Sequence, residues 1–198
     1  LGLLTKNYAS MDNEYEIIQD FYQDPLISAV HLPFVEIREL VADDEEVTEV
    51  FEDMIKRSVP GYKNSLNIIT HYAKNFYKDD TNCYDIGCSL GASSFSILQG
   101  ANKAKVIAID KSESMIDECE RIFKNSKNPY SLVFLNEDIM ESDLKNASLV
   151  VVNYLIQFLD LEERDTLFKK IFKALIPNGI LILSEKVHYE NKFENQRI

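Results

Sequence analysis

Apolar positions along this chain follow first one period and then two, and the change marks where a helical lead-in gives way to a layered core. From Asp43 the acids Asp43-Asp44-Glu45-Glu46 stand where they complement a helix dipole, and Val47, Val50, Phe51, Met54 and Ile55 follow at helical spacing. Pro60-Gly61 interrupts that pattern, and Leu66, Ile69, Tyr72, Ala73 and Phe76 then form one face of a second amphipathic helix. From Cys83 onward, short runs rich in Val and Ile take over: Tyr84-Asp85-Ile86, Val106-Ile107-Ala108-Ile109, Leu132-Val133-Phe134, Leu149-Val150-Val151-Val152 and Ile180-Leu181-Ile182-Leu183. Helical stretches at about 91–100, 113–125 and 161–175 separate them. Strands alternating with helices predict right-handed βαβ units on a doubly wound, mostly parallel sheet, an α/β fold with an N-terminal helical extension. Pro177-Asn178-Gly179 reads as a turn that ends the last helix and admits the fifth strand. Residues 1 to about 41 lack sustained periodicity and read as an irregular or partly helical lead-in, with no internal repeat anywhere.

Composition narrows the class without selecting an activity. The 198 residues suit a single domain with a lead-in and N-terminal helices over 1–80 and an α/β core over 81–187, large enough to bury a core unaided. A net charge of −12 sets the average surface field against phosphates, which disfavours direct binding to nucleic acid or to an anionic membrane. Cys83, Cys88 and Cys119 are odd in number and lack metal-ligand spacing, so neither a disulfide framework nor a zinc site is expected and a reducing, cytoplasmic compartment fits. His31, His71 and His188 are isolated, and no metal is expected. No apolar run reaches the roughly 20 residues that span a bilayer, and Leu1-Gly2-Leu3-Leu4-Thr5-Lys6 lacks the basic-then-apolar order of a secretion signal. The absence of an initial Met points to a processed, tagged or partial chain.

Candidate chemistry gathers at the ends of the predicted strands. Asp85-Ile86-Gly87-Cys88-Ser89-Leu90-Gly91 runs from a strand through a glycine-bearing turn into a helix, where free N–H groups and close backbone approach suit a nucleotide-like ligand. Its Gly-x-x-x-Gly spacing departs from the G-x-G-x-x-G turn that suits a pyrophosphate. Asp110 ends the next strand, 23 residues after Gly87, where a carboxylate can accept both hydroxyls of a ribose. Each feature has a plainer explanation, packing for the glycines and helix capping for Asp110. Asp138 follows the third strand, where it could receive an adenine amino group, and Asn153 ends the fourth, near the reactive end of such a ligand. Four such positions at the carboxyl ends of four successive strands favour a nucleoside site over four accidents.

Asp85 to Gly91, with Asp110, Asp138 and the strand through Asn153, resembles the class I S-adenosylmethionine-dependent methyltransferases, which share a Rossmann-like fold. Four stretches narrow the likeness: the segment from Asp53 to Tyr62 with its Arg57-Ser58-Val59-Pro60-Gly61-Tyr62, the turn itself, Asn153-Tyr154-Leu155-Ile156-Gln157-Phe158-Leu159, and Leu183-Ser184-Glu185-Lys186. These resemble the carboxy-S-adenosyl-L-methionine synthases over about residues 40–187.

That resemblance implies conversion of S-adenosyl-L-methionine and the small molecule prephenate to carboxy-S-adenosyl-L-methionine and phenylpyruvate. The product would serve a partner enzyme that modifies the wobble uridine of tRNA, and a homodimer is implied. Carried over by position, the ligand contacts are Tyr62, Gly87, Cys88, Ser89, Asp110, Lys111, Asp138, Ile139 and Asn153, with Tyr62 a lid and Arg57 a candidate catalytic cation for the second substrate. Pairing of Arg57 with an acid of its own helix is an equal alternative. The chemistry is coherent, because a sulfonium acidifies its methyl C–H bonds and the resulting carbanion can capture carbon dioxide without a side-chain nucleophile. The family also uses an arginine beyond the fifth strand; Arg197 stands too soon after Lys186 to be matched with it. Seven strands are usual in the fold and five are read here, so a missing C-terminal part is expected. An ordinary methyltransferase acting on a small molecule or RNA, and a catalytically silent module supporting a partner, are the competing readings.

Overall fold

The computed structural model describes residues 2–5, 61–125 and 131–185. The helix expected from Asp43, together with Arg57, Pro60, Lys186 and Arg197, lies outside the described residues, as do His31 and His188. The described elements are β1 (Gly2–Thr5), α1 (Tyr62–Phe76), β2 (Asn82–Ile86), α2 (Ala92–Gly100), β3 (Lys105–Asp110), α3 (Glu113–Asn125), β4 (Ser131–Asn136), β5 (Ala147–Asn153), a 3₁₀ turn (Ile156–Phe158), α4 (Leu161–Ala174) and β6 (Leu175–Ser184).

Six strands form one sheet in the order β1-β6-β5-β2-β3-β4. Five run parallel, and β1 pairs antiparallel with β6 through Gly2 opposite Leu183 to Thr5 opposite Ile180. The doubly wound, mostly parallel sheet expected from the Val- and Ile-rich runs is therefore present, with the order reversing between β2 and β5. A ligand crevice in such a sheet opens at that reversal, beyond the carboxyl ends of the strands.

The central strands are apolar on both sides because both sides are covered. Alternate residues of β5 serve different layers: Val150 and Val152 join Tyr84, Ile86, Leu181 and Leu183 beneath Leu167, Phe168 and Ile171 of α4. Leu149 and Val151 join Cys83, Ile180 and Ile182 beneath Ile69 and Ala73 of α1 and Ile97 and Leu98 of α2. A period of two with helices on each face produces the near-continuous apolar run seen in the sequence. On the α4 side the helix start is specified locally. Asp160 accepts the Glu163 N–H at 2.8 Å while the Glu163 carboxylate accepts the Asp160 N–H at 2.9 Å, a reciprocal capping pair.

Two expectations are corrected. The lead-in is not wholly irregular or helical, because Gly2–Thr5 is a strand; four residues carry no readable period, and the open edge of β6 supplies the ladder that orders them. Nor does Pro177-Asn178-Gly179 separate helix from strand. Helix α4 stops at Ala174, and Leu175 to Ser184 is one strand whose register with β5 slips between Ala147 and Leu149. Pro177 disfavours helical geometry in Ile176, and Asn178 takes a positive φ of 62°, so the turn residues form a bulge within the strand.

Candidate functional site

The crevice is built from the turn after β2. Gly87, Ser89 and Gly91 have φ of 70°, 46° and 76°, three left-handed residues within five. Gly87 permits this turn and lets the chain pass beneath Leu155, whose Cδ1 would stand 2.8 Å from an added Cβ. The turn is tied to β3: the N–H groups of Gly87 and Cys88 both donate to the Ile109 carbonyl, at 2.8 and 3.1 Å. Ser89, which has no glycine's freedom, is held by donation of its N–H to Asp110 Oδ2 at 2.8 Å.

Asp110 thus does something the spacing alone did not reveal. Its Oδ1 accepts the Ser112 N–H at 3.0 Å while Oδ2 holds Ser89, so one carboxylate joins the β2 turn to the start of α3. Burial pushes its pKa up, and the N–H groups of Ser112 and Ser89 and the charge of Lys111 oppose that shift. Each oxygen retains a second lone pair, so ribose hydroxyls remain acceptable partners. The helix-capping and ligand-binding explanations for this residue are compatible.

Asp85 lies under the turn, 1% exposed, with Ser94 Oγ donating to its Oδ2 at 2.6 Å. Burial raises its pKa to about 7, against the lowering effect of the Ser94 hydrogen bonds; the nearby Asp110 charge adds to the rise. Ser94 sits in the first turn of α2, and a polar residue at that point after a strand-end acid was the readable signal for it. The side chain of Cys88 points inward, packed with Ala108 and Ile116, so only its backbone lines the turn. Its thiol pKa is raised first by a hydrogen bond with Cys119 and then by burial, which makes it a poor nucleophile.

Asn153 closes the crevice from β5. Its Nδ2 donates to Ser93 Oγ at 3.2 Å, and its Oδ1 is buried with no hydrogen-bond partner. A buried amide oxygen left without a donor points to a ligand that supplies one. Next to it Tyr154 adopts φ 60°, with its N–H donating to the Ser184 carbonyl at 2.7 Å and its ring 6.4 Å from that of Tyr62. Strained backbone in a tyrosine beside the crevice escaped sequence reading, since conformation is not encoded in a local pattern. Tyr62, at the first position of α1, thus stands beside the residue that follows Asn153.

On the opposite side, Asp138 is exposed, and its Oδ1 accepts the Met140 N–H at 2.8 Å. Ile139 is 7% exposed and belongs to the core, so it offers backbone to the crevice and not its side chain. Lys111 is exposed beside Asp110. All nine expected contacts are described residues: six stand at the ends of β3 and β5 or in the turns that follow β2 and β3, Tyr62 comes from α1 to lie beside Tyr154, and Asp138 and Ile139 lie in the turn after β4. Asp110 and the exposed Asp138 give this edge acidic groups, which oppose a phosphate and suit a polyol-bearing ligand with a positive centre. Among the described residues no group of three or more His, Cys, Asp or Glu is arranged to hold a metal, and no helix is long and apolar enough to cross a membrane.

Known proteins resemble this chain in sequence and in fold. The sequence model of a family described as "Methyltransferase domain" matches residues 84–179. The chain is 44% identical over 155 residues to a carboxy-S-adenosyl-L-methionine synthase of Glaesserella parasuis, covering 77% of this chain and 64% of that protein. It is 41% identical to the synthase of Psychromonas ingrahamii over the same shares, and 44% identical to that of Shigella boydii over 75% of this chain and 61% of that one. The chain thus spans somewhat under two thirds of the length of these curated relatives. Among solved structures, an S-adenosyl-L-methionine-dependent methyltransferase of Methanococcus maripaludis superimposes with a TM-score of 0.59 at 18% identity, over 73% of this chain and 64% of that one. An O-methyltransferase of Nostoc punctiforme gives 0.56 at 17% identity, over 70% and 39%. The expected class I methyltransferase fold is thereby shown.

Proposed function

We propose that this chain, which has the class I methyltransferase fold and is a sequence relative of the carboxy-S-adenosyl-L-methionine synthases, binds S-adenosyl-L-methionine in the crevice at the β2–β5 reversal. It converts that molecule and prephenate to carboxy-S-adenosyl-L-methionine, phenylpyruvate and water: prephenate loses carbon dioxide and hydroxide as its ring aromatises, the methyl carbon of the sulfonium gives up a proton that neutralises the hydroxide, and the carbanion so formed bonds to the carbon dioxide. One observation carries the ligand assignment. The tied turn at Gly87 to Gly91, the Asp110 carboxylate and the unpartnered Asn153 Oδ1 face one crevice whose charge favours a cationic nucleoside.

In this reading Asp110 takes the ribose hydroxyls, Asp138 the adenine amine, and Asn153 Oδ1 a donor at the methionine end of the ligand, with Gly87, Cys88, Ser89, Lys111 and Ile139 lining the path. Tyr62 covers it, and Arg57 meets the second substrate's carboxylates. The sulfonium makes the transferable methyl acidic, and the enzyme's part is to hold it beside the released carbon dioxide and keep water out. The product serves a tRNA-modifying partner enzyme, and the protein acts as a cytoplasmic homodimer; the free, buried Cys83, Cys88 and Cys119 are consistent with a reducing compartment.

The test is mass spectrometry of the ligand retained on purification, together with turnover of the two substrates. A retained ligand heavier than S-adenosyl-L-methionine by one carbon dioxide, and phenylpyruvate formed only when both substrates are present, are the expected results. Retention of S-adenosyl-L-methionine or S-adenosyl-L-homocysteine alone, with methyl transfer to an acceptor, would instead mark an ordinary methyltransferase.

A further inference from the structure

The turn after β4 is held from outside the crevice by a cation whose place in the sequence gives no hint of it. Lys170, in the middle of α4, directs its ammonium at three backbone carbonyls: Ile139 at 2.8 Å, Met140 at 2.6 Å and Ser142 at 2.8 Å. An ammonium has three N–H donors, so this arrangement uses all of them. The same turn is stitched internally. Met140 N–H donates to Asp138 Oδ1, Glu141 and Ser142 N–H both donate to the Asp138 carbonyl at 3.0 Å, and Ser142 Oγ donates to Glu137 Oε2 at 2.8 Å and to the Asp138 carbonyl at 3.0 Å. Ile139 anchors it in the core. Asp138 therefore presents an exposed carboxylate from a turn whose outward carbonyls converge on one charge.

We infer that Lys170 is a positioning residue for recognition of the purine, acting through Asp138 and Ile139; this rests on the adenosyl reading of the crevice. One Asp138 oxygen is already committed to Met140, so the direction of the other depends on the turn keeping its shape. Three carbonyls pointing at one spot repel one another and cannot all turn to water while Ile139 stays buried. Removal of the ammonium opens the turn, and the carboxylate loses its aim at an exocyclic amine. A residue that merely stabilised the fold would lower melting temperature without altering which base is preferred.

Calorimetric titration with S-adenosylhomocysteine and with S-inosylhomocysteine, whose purine carries an oxygen in place of the amine, separates these roles. The intact chain is expected to prefer the adenine compound. Lys170→Met is expected to weaken it by about tenfold while changing the inosine compound by less than about threefold, so the preference collapses. Lys170→Gln, which keeps two N–H donors without the charge and is the milder variant for folding, is expected to give an intermediate ratio. Asp138→Asn should reproduce the loss, and the double variant Asp138→Asn with Lys170→Met should add little to either alone. A wild-type ratio in both Lys170 variants, or fully additive losses in the double variant, overturns the proposal. Failure of the intact chain to bind S-adenosylhomocysteine at all overturns the adenosyl reading itself, a result distinct from a Lys170 variant that binds with unchanged preference.

Discussion

At the scale of single residues, burial raises the pKa of two aspartates, and their hydrogen-bond partners differ. Asp110 is held by the N–H groups of Ser89 and Ser112, which favour its charged form against burial. Replacement by Asn removes that charge and is expected to weaken binding of S-adenosylhomocysteine by about 30-fold, near 2 kcal/mol, in a calorimetric titration. Asp85 is buried beneath the same turn with a pKa raised to about 7 from an ordinary 3.8. In the pH range between those values the folded chain holds a proton that the unfolded chain has released. The stabilisation is complete below about pH 4 and is lost as pH rises to 7. Urea unfolding of wild type and Asp85→Asn across pH 4 to 8 should therefore diverge, the wild type losing up to roughly 4 kcal/mol relative to the variant. A difference that stays flat with pH would mean that Asp85 is ionised throughout.

At the scale of elements, close contacts decide which substitutions the crevice supports tolerate. Helices α1 and α2 cross so tightly that a Cβ on Gly100 would stand 2.2 Å from the Thr70 carbonyl oxygen, and backbone cannot turn aside as a side chain can. Gly100→Ala, although it favours a helix locally, should cost about 3 kcal/mol in thermal or urea unfolding, because the overpacking exceeds the gain in propensity. Asp160→Ala removes the reciprocal cap of α4 and should cost about 1 kcal/mol by the same measurement. The two differ in legibility. Asp160 followed three residues later by Glu163 ahead of an apolar face is a pattern in the chain itself, whereas the need for Gly100 exists only once α1 lies across it. The bulge at Pro177-Asn178-Gly179 belongs with Gly100: its residues read as a turn between helix and strand, and their position inside a strand came from pairing with β5.

At the scale of the whole molecule, a ligand that binds only the folded chain must raise its stability by mass action. S-adenosylhomocysteine at about 100 times its dissociation constant should add near 2.7 kcal/mol, or roughly 5 to 10 °C in melting temperature. Absence of any shift would speak against the crevice as its site. The alternation of Val- and Ile-rich runs with amphipathic stretches was sufficient by itself to specify the layered α/β sheet, because a strand covered on both faces must be apolar at every position. It was sufficient also to place Gly87, Asp110, Asp138 and Asn153 at strand ends, since strand boundaries are local. What only tertiary structure decided is how these ends cooperate. The pairing of Gly2–Thr5 with β6, the tie from Asp110 to Ser89, the buried Asn153 oxygen, the bent Tyr154 and the Lys170 ammonium each join parts distant in the chain. Such contacts depend on the register of strands and the direction of side chains across the fold, which no local period along the sequence carries.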